Sequence, residues 1–98
     1  MLWAIYLIDK PNSAEIRAKH LAAHVAYLNK VDPVCFFTGP LQSDDATQSS
    51  GSLWIIKANS RAEAQAFVNA EVFYQAGVFE SVKIARVRKV HFHPELAE

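Results

Sequence analysis

The order of strand-like and helix-forming segments constrains the fold of this chain more than any other feature of its sequence. Four short apolar runs, rich in β-branched and aromatic residues, have the length of strands. They cover residues 2–8, 34–38, 53–58 and 81–92. Segments with helical start signals cover residues 13–30 and 61–70, between the first two runs and between the last two. The order β-α-β-β-α-β predicts an α+β, ferredoxin-like fold in which both helices cover one face of an antiparallel sheet.

Local signals predict where these elements begin and end. Asn12 or Ser13 can cap the first helix, and Glu15 is placed to complete a capping box from Asn12. The Ser-, Asp- and Gly-rich residues 41–52 are predicted to form a loop. The apolar alternation of the last strand slips near Ala85, which predicts a bulge or an extension beyond the sheet.

Length and charge restrict the partners that we expect. The 98 residues predict a single domain over positions 1–98. Ten basic residues balance ten acidic ones, which predicts binding neither to nucleic acid nor to an anionic membrane. The apolar N-terminal run has no signal-peptide features and is too short to span a bilayer. Because Cys35 is the single cysteine, no intrachain disulfide can form, and we expect a cytoplasmic protein.

The apolar content predicts a homodimer. Hydrophobic residues make up 51% of the chain, and residues 2–8 and 53–56 are apolar on both strand faces. The two helices can cover one face of the sheet, so the other face needs a cover as well. A second copy that packs sheet to sheet is the simplest cover.

Three basic side chains interrupt the apolar face of the first helix. On a helical wheel of about 100° per residue, Arg17, His20 and His24 fall within the apolar arc. Burial of an unpaired imidazole or guanidinium is costly, so these groups need partners or a wet pocket. A single histidine at such a position is more often a core residue bonded to a carbonyl or carboxylate oxygen. Three such groups favour a polar cavity between the helix and the sheet.

A cavity of this kind suits a small anionic ligand. Arg17 and His20 can hold a carboxylate or phenolate oxygen. A neutral His24 can act as a general base or acid near pH 7, and a carboxylate would orient it. The residues leave three candidates for that carboxylate open: Asp44, Asp45 and Glu71.

Metal binding is the weaker interpretation of the histidines. His20 and His24 are four residues apart, and His91 and His93 alternate along one strand, which are both ligand spacings. No cysteine accompanies them, and no H-E-x-x-H motif is present. The chain also lacks a phosphate-binding glycine loop and a nucleophile elbow. We therefore predict neither a metal nor a cofactor.

The order and spacing of five stretches carry a family resemblance. They are the opening "MLWAIYLIDKP", Arg17 followed by the helix "HVAYL" at 24–28, "TGPL" at 38–41, "GSLWIIKANSRAEAQAFVNA" at 51–70, and "AEVFYQAGVFESVKI" at 70–84. Together they cover nearly the whole chain, which resembles the YciI-like (YCII-related) family. The resemblance implies a protomer of the dimeric α+β barrel type, in which two sheets join into a barrel.

The resemblance also implies which residues form the site. The proposed centre of the family is a histidine on the first helix paired with an acidic residue, and on this chain that histidine is His24. Where the family usually has Asp-Pro before an aromatic residue, this chain has Glu71-Val72, so the carboxylate is one methylene longer. His20 is not part of the family pattern. We expect the remaining substrate contacts at the turn and at that aromatic residue: Gly39, Pro40, Leu41 and Phe73.

These residues favour proton-transfer chemistry on a small cyclic or anionic compound. The expected reaction is an elimination, an isomerisation or a lyase step, and some relatives in the family are linked to dehydrochlorination. Two alternatives remain open. The chain can be a non-catalytic small-molecule-binding or accessory dimer, or a scaffold in which His24 is only a core histidine.

Overall fold

The computed structural model describes residues 1–98 and shows an α+β fold, as the segment order predicts. Its elements are β1 (Leu2–Asp9), α1 (Ala14–Lys30), β2 (Cys35–Gln42), β3 (Ser49–Lys57), α2 (Arg61–Ala70), α3 (Val72–Gln75) and β4 (Phe79–Val87). The four strands form one antiparallel sheet in the order β2-β3-β1-β4. Short 3₁₀ turns follow α1, at Asp32–Val34, and β4, at Pro94–Leu96. No helix is both long enough and apolar enough to cross a membrane.

The first helix does not start from the predicted capping box. Its N-cap is Ser13, and no side chain caps the helix there. Asn12 instead has a φ of 62°, in the left-handed region that asparagine tolerates in turns. The Ser13 hydroxyl lies within hydrogen-bond distance of the carbonyl oxygens of Lys10 and Val78. The turn therefore uses this hydroxyl to join the end of β1 to the start of β4.

The strands differ from their predicted limits at the hairpin and at the C-terminus. β2 and β3 extend well into residues 41–52, so only residues 43–48 connect them. Pro40 is compatible with β2 because this strand lies at the sheet edge, where a missing N–H is tolerated. Ala85 pairs regularly with Ala4, so no bulge lies there, and β4 ends at Val87, short of the predicted limit at residue 92. The irregularity lies at the start of β4, where Asp9 pairs with Phe79 and Ile8 pairs with Ser81.

The core lies between the sheet and the C-terminal helices. Alternate residues of β1 and β3 point into it, together with side chains of α2, α3 and the start of β4: Trp3, Ile5, Leu7, Trp54, Ile56, Ala64, Phe67, Val68, Phe73, Val78 and Phe79. Helix α1 contributes no buried residue. Its sheet-facing side carries the half-buried Arg17, His20 and His24, whereas Leu21 and Val25 are exposed. Tyr27, Leu28 and Val31, at the C-terminal end of α1, pack against the core, whereas a cavity lies beneath the part that carries Arg17 and His24.

The opposite face of the sheet is largely apolar and has no helix over it. Because side chains alternate along a strand, the residues between the buried ones lie on this open sheet face. Its apolar members are Leu2, Ala4, Tyr6, Phe37, Leu53, Ile55 and Ala85, and Lys57 and Lys83 lie on it as well. Tyr6 is 46% exposed and Phe37 is 48% exposed. Such a face is unusual on a monomer in water.

Candidate functional site

The centre of the site is an imidazole bonded to a buried carboxylate. Nδ1 of His24 contacts Oε1 of Glu71. The Glu71 side chain is fully buried, and the His24 side chain is 13% exposed. A carboxylate oxygen can only accept a hydrogen bond. Of the two tautomers of the neutral imidazole, this contact therefore favours the one with its proton on Nδ1. Nε2 then carries the free lone pair.

The same carboxylate is tied into the backbone. Oε2 of Glu71 accepts a hydrogen bond of 3.1 Å from the Tyr74 N–H, which makes Glu71 the N-cap of α3. Both carboxylate oxygens therefore have partners, and the carboxylate plane is fixed. Glu71 in turn fixes the first turn of α3, which carries Phe73.

Phe73 fixes the face of the imidazole. The rings of His24 and Phe73 stack with centroids 3.8 Å apart and planes 7° from parallel. Glu71 thus restrains one ring edge of His24, and Phe73 restrains one ring face. An imidazole held in this way keeps one orientation.

Arg17 forms the second charged part of the site. Nε and Nη2 of Arg17 donate to the two carboxylate oxygens of Asp9, at 2.7 and 2.9 Å. Nη2 also donates to the Gly51 carbonyl at 3.0 Å and to Ser52 Oγ at 3.3 Å. The Arg17 guanidinium lies 5.0 Å from the centroid of the Phe73 ring, so Phe73 lies against both Arg17 and His24.

A cavity of about 260 Å³ lies between α1 and the sheet beside these groups. One wall consists of apolar α1 side chains, and the other consists of hydroxyl groups and backbone from β2 and β3. The lining residues are Arg17, Leu21, His24, Val25, Leu28, Thr38, Gly39, Pro40, Ser49, Ser52, Trp54 and Phe73. This volume is small for a ligand pocket and suits a compact molecule with one apolar and one oxygen-bearing edge.

The structure brings together several of the residues that the sequence suggested. Arg17, His24, Gly39, Pro40 and Phe73 line the cavity, and Glu71 lies behind His24. Of the three candidate carboxylates, Glu71 is the one that contacts His24.

The other suggested residues lie elsewhere. Asp44 and Asp45 are exposed in the turn between β2 and β3. Asp45 accepts hydrogen bonds from Ser43 and Thr47 there, which lower the pKa of its carboxyl. Leu41 and the half-buried His20 are not among the lining residues.

The C-terminal histidines lie away from the cavity. His91 and His93 lie beyond β4, and His93 pairs with Glu95 at 2.9 Å on the exposed tail. No group of three or more His, Cys, Asp or Glu side chains is placed to hold a metal ion.

Sequence reasoning missed Asp9 and Ser52. Asp9 was not among the candidate site residues, yet both of its carboxylate oxygens accept hydrogen bonds from Arg17. Ser52 fell in the predicted loop, yet it is a buried β3 residue that lines the cavity. Strand periodicity carries a signal for Ser52, since it shares a sheet face with Trp54 and Ile56.

Tyr27 connects α1 to α2 one turn beyond His24. Its hydroxyl donates to the Phe67 carbonyl oxygen at 3.0 Å. Partial burial, and then the nearby negative charges of Glu71 and Cys35, raise the pKa of this hydroxyl above its ordinary 10.0. The folded state therefore keeps this proton up to a higher pH than the unfolded chain does. The contribution of the proton to the free energy of unfolding is lost as pH rises through the folded pKa.

We expect Tyr27→Phe to be less stable than the wild type at neutral pH, and this difference to shrink at alkaline pH. The variant should lose about 1 kcal/mol of unfolding free energy near pH 7, because the Phe67 carbonyl loses its partner. Above about pH 10 its stability should fall less steeply than that of the wild type. Urea denaturation at both pH values checks this, with Tyr74→Phe as the exposed control. If the free energy of unfolding depends on pH in the same way for wild type and Tyr27→Phe, the raised pKa does not belong to Tyr27.

Comparison with known proteins places this arrangement in a family. Residues 1–88 match the YCII-related domain. The chain is 32% identical over 97 residues to Protein YciI of Escherichia coli O6:H1 and to Protein YciI of Shigella flexneri, which covers 92% of this chain and 99% of each relative.

Solved structures agree with that result. One is TftG of Burkholderia phenoliruptrix AC1100, a 5-chloro-2-hydroxyhydroquinone dehydrochlorinase in complex with 2,5-dihydroxybenzoquinone. It matches with a TM-score of 0.83 and 33% identity, over 90% of this chain and 94% of TftG. PA3566 of Pseudomonas aeruginosa shares the fold, with a TM-score of 0.52 and 19% identity over 92% of this chain and 93% of its own. The chain belongs to the YCII-related family.

Proposed function

We propose that this protein is a proton-transfer enzyme that eliminates a leaving group from a small, oxygen-bearing ring compound. One observation carries the proposal. The His24 imidazole is bonded through Nδ1 to the buried Glu71 carboxylate, and Nε2 has no protein partner although His24 lines the cavity. This is the arrangement of a general base that is held ready for a ligand proton.

The chemistry needs only the groups of the cavity and a substrate with a leaving group. In a hydroxylated aromatic ring, a shift of one hydroxyl proton onto the carbon that carries the halide gives the keto form, in which that carbon is tetrahedral. Nε2 of His24 then takes the proton of a second ring hydroxyl. The electron pair of the broken O–H bond forms a C=O bond, the neighbouring ring double bond shifts towards the halide-bearing carbon, and the halide departs with the electron pair of its own bond. The substrate thereby loses HX, with no change in total electron count, and the imidazolium is stabilised by Glu71 until it releases the proton.

Two observations support a ring compound as the substrate. Phe73 and Trp54 offer aromatic surfaces in a cavity of about 260 Å³, and Thr38, Ser49 and Ser52 offer hydroxyls. TftG, with 33% identity over 90% of this chain, is a dehydrochlorinase of a chlorinated hydroxyhydroquinone. We therefore propose hydroxylated, halogenated rings as the first compounds to try.

A chloride-release assay tests the proposed function. Purified protein is incubated with 5-chloro-2-hydroxyhydroquinone under anaerobic conditions, and free chloride is followed with an ion-selective electrode alongside the visible absorption of the product. We expect one chloride per substrate molecule and a rate proportional to protein concentration. If a panel of such rings binds but none is converted, the protein is a binding module and the enzyme proposal is wrong.

A homodimer belongs to the same proposal. The open sheet face presents Tyr6 and Phe37 at nearly half exposure, with Leu53 and Ile55 beside them. A symmetric dimer would bury this face against its own copy, as an isologous interface requires. The cavity lies on the other side of the sheet, so dimerisation would leave it open.

We expect Phe37→Arg to weaken dimerisation at least about tenfold, because each interface would then carry two desolvated charges in place of two aromatic rings. Sedimentation equilibrium measures the dissociation constant. Leu96→Arg, on the exposed C-terminal turn, is the matched control and should not change it. A wild type that sediments as a monomer, or a Phe37→Arg variant as tight as the wild type, would contradict the sheet-face dimer.

A further inference from the structure

We propose that Ser52 is a ligand-binding residue that holds, together with Arg17, a phenolate, enolate or carboxylate oxygen of the ligand while His24 takes the proton. The inference rests on the proposed function, because it concerns the same cavity. It assigns a role to a side chain that the proton-transfer chemistry itself does not require.

The first argument is the state of the Ser52 hydroxyl. Ser52 is 3% exposed and lines the cavity. Its Oγ accepts a hydrogen bond from Arg17 Nη2 at 3.3 Å, whereas its own O–H has no acceptor in the chain. A buried hydroxyl that keeps a spare donor is costly unless something takes that hydrogen bond. The cavity is the space where such an acceptor can lie.

The second argument is the distribution of Arg17 donors. A guanidinium has five N–H groups. Those on Nε and Nη2 are engaged by Asp9, Gly51 and Ser52, whereas the Nη1 donors have no partner. Donation from Arg17 also polarises the Ser52 hydroxyl, which makes its proton a better donor. The Ser52 O–H and the Arg17 Nη1 groups are thus two donors without an acceptor in the chain, and both residues line the cavity.

Charge decides which oxygen fits. The Arg17 charge is already balanced by the bidentate Asp9 carboxylate, whose side chain is only 7% exposed. The subsite therefore lacks the excess positive charge that a phosphate or another dianion would need. A single oxygen with a partial or full negative charge, such as a phenolate, an enolate or one carboxylate oxygen, matches it.

Distances place this subsite within reach of the base. Both the His24 ring, at 3.8 Å, and the Arg17 guanidinium, at 5.0 Å, contact the ring of Phe73. The distance between the His24 ring centroid and Arg17 Cζ therefore cannot exceed the sum of these two distances. A gap of that size can be spanned by one substituted six-membered ring. A ring whose oxygen is held by Arg17 and Ser52 can thus present another position to His24. Charge that flows onto that oxygen during proton removal would be stabilised there.

Binding of 2,5-dihydroxybenzoquinone to Ser52→Ala tests this assignment. We expect the dissociation constant, measured by calorimetry, to rise about tenfold through loss of one polarised hydrogen bond. Ser81→Ala is the matched control, since Ser81 is an exposed serine of the same sheet that does not line the cavity. It should bind within about twofold of the wild type. Ser52→Thr keeps the hydroxyl and should bind more tightly than Ser52→Ala.

A spectroscopic readout separates ligand binding from a structural role. The visible absorption of this quinone changes when its hydroxyl groups ionise. With wild type the bound quinone should stay ionised to a lower pH than with Ser52→Ala, because the hydroxyl stabilises the anion. Purely structural damage would weaken binding without that shift.

The outcomes distinguish the two proposals. If the wild type does not bind the quinone, both the proposed function and the role of Ser52 are overturned. If the wild type binds and Ser52→Ala binds equally well, only the role of Ser52 is overturned. Equal losses in Ser81→Ala and Ser52→Ala, or a Ser52→Ala loss without the spectral shift, would also overturn it.

Discussion

Replacement of His24 with glutamine is expected to lower turnover by roughly 100- to 10,000-fold, the range that loss of a positioned general base produces. The glutamine amide can still donate to Glu71, so the buried carboxylate keeps a partner. It has no basic lone pair equivalent to Nε2, so the proton of the ligand has no acceptor. Because α1 contributes no buried residue to the core, the variant should fold and unfold like the wild type.

The measurement is the rate of chloride release with the hydroxylated, chlorinated ring that the wild type converts, with kcat and KM determined separately. The loss should appear in kcat, since the base acts mainly in the transition state. His20→Gln is the matched control, because His20 is half-buried on the same helix but does not line the cavity. A His24→Gln enzyme that retains most of the wild-type kcat would remove His24 from the mechanism.

Replacement of Glu71 with alanine is expected to lower the free energy of unfolding by about 3 kcal/mol. Loss of an N-cap costs about 0.5–2 kcal/mol, and removal of a charged hydrogen-bond partner from a buried site costs about 1.5–3 kcal/mol. Both penalties apply, because the Glu71 carboxylate caps α3 and bonds His24 at the same time. The two penalties are coupled through one side chain, so they should not add in full.

Urea denaturation of Glu71→Ala and Glu71→Gln separates the two roles. Glutamine keeps the side-chain length and an oxygen that can accept from the Tyr74 N–H, so it should recover much of the stability. It no longer presents a negative charge to the imidazolium, so its turnover should remain low. Equal stability of Glu71→Ala and wild type would show that the carboxylate has no structural role.

The fold was predictable because local patterns agree with the tertiary arrangement. Four apolar runs of strand length and two helical segments, in the order β-α-β-β-α-β, predict an antiparallel sheet with helices on one face, and the structure has that arrangement. The element limits were less predictable. Pro40 and residues 49–52 resemble a loop by composition, but pairing with neighbouring strands extends β2 and β3 through them.

Some residues of the site could be predicted from the sequence and others could not, and the physical reason differs between them. Arg17 and His24 were visible because a charged or polar group within an apolar helical arc violates the local pattern. The choice of Glu71 over Asp44 or Asp45 depends on contacts between residues 47 positions apart, which helix periodicity does not contain. Asp9 was missed because an acidic residue before Pro11 is common in turns.

Nitrogen-15 NMR of the His24 imidazole tests the central claim most directly. At a pH where the ring is neutral, the proton should reside on Nδ1, and the Nε2 resonance should shift when 2,5-dihydroxybenzoquinone is added. Glu71→Gln should perturb the Nδ1 resonance. A proton on Nε2, or an Nε2 resonance that does not respond to any ring compound that binds, would contradict an imidazole held by Glu71 and offered to the ligand.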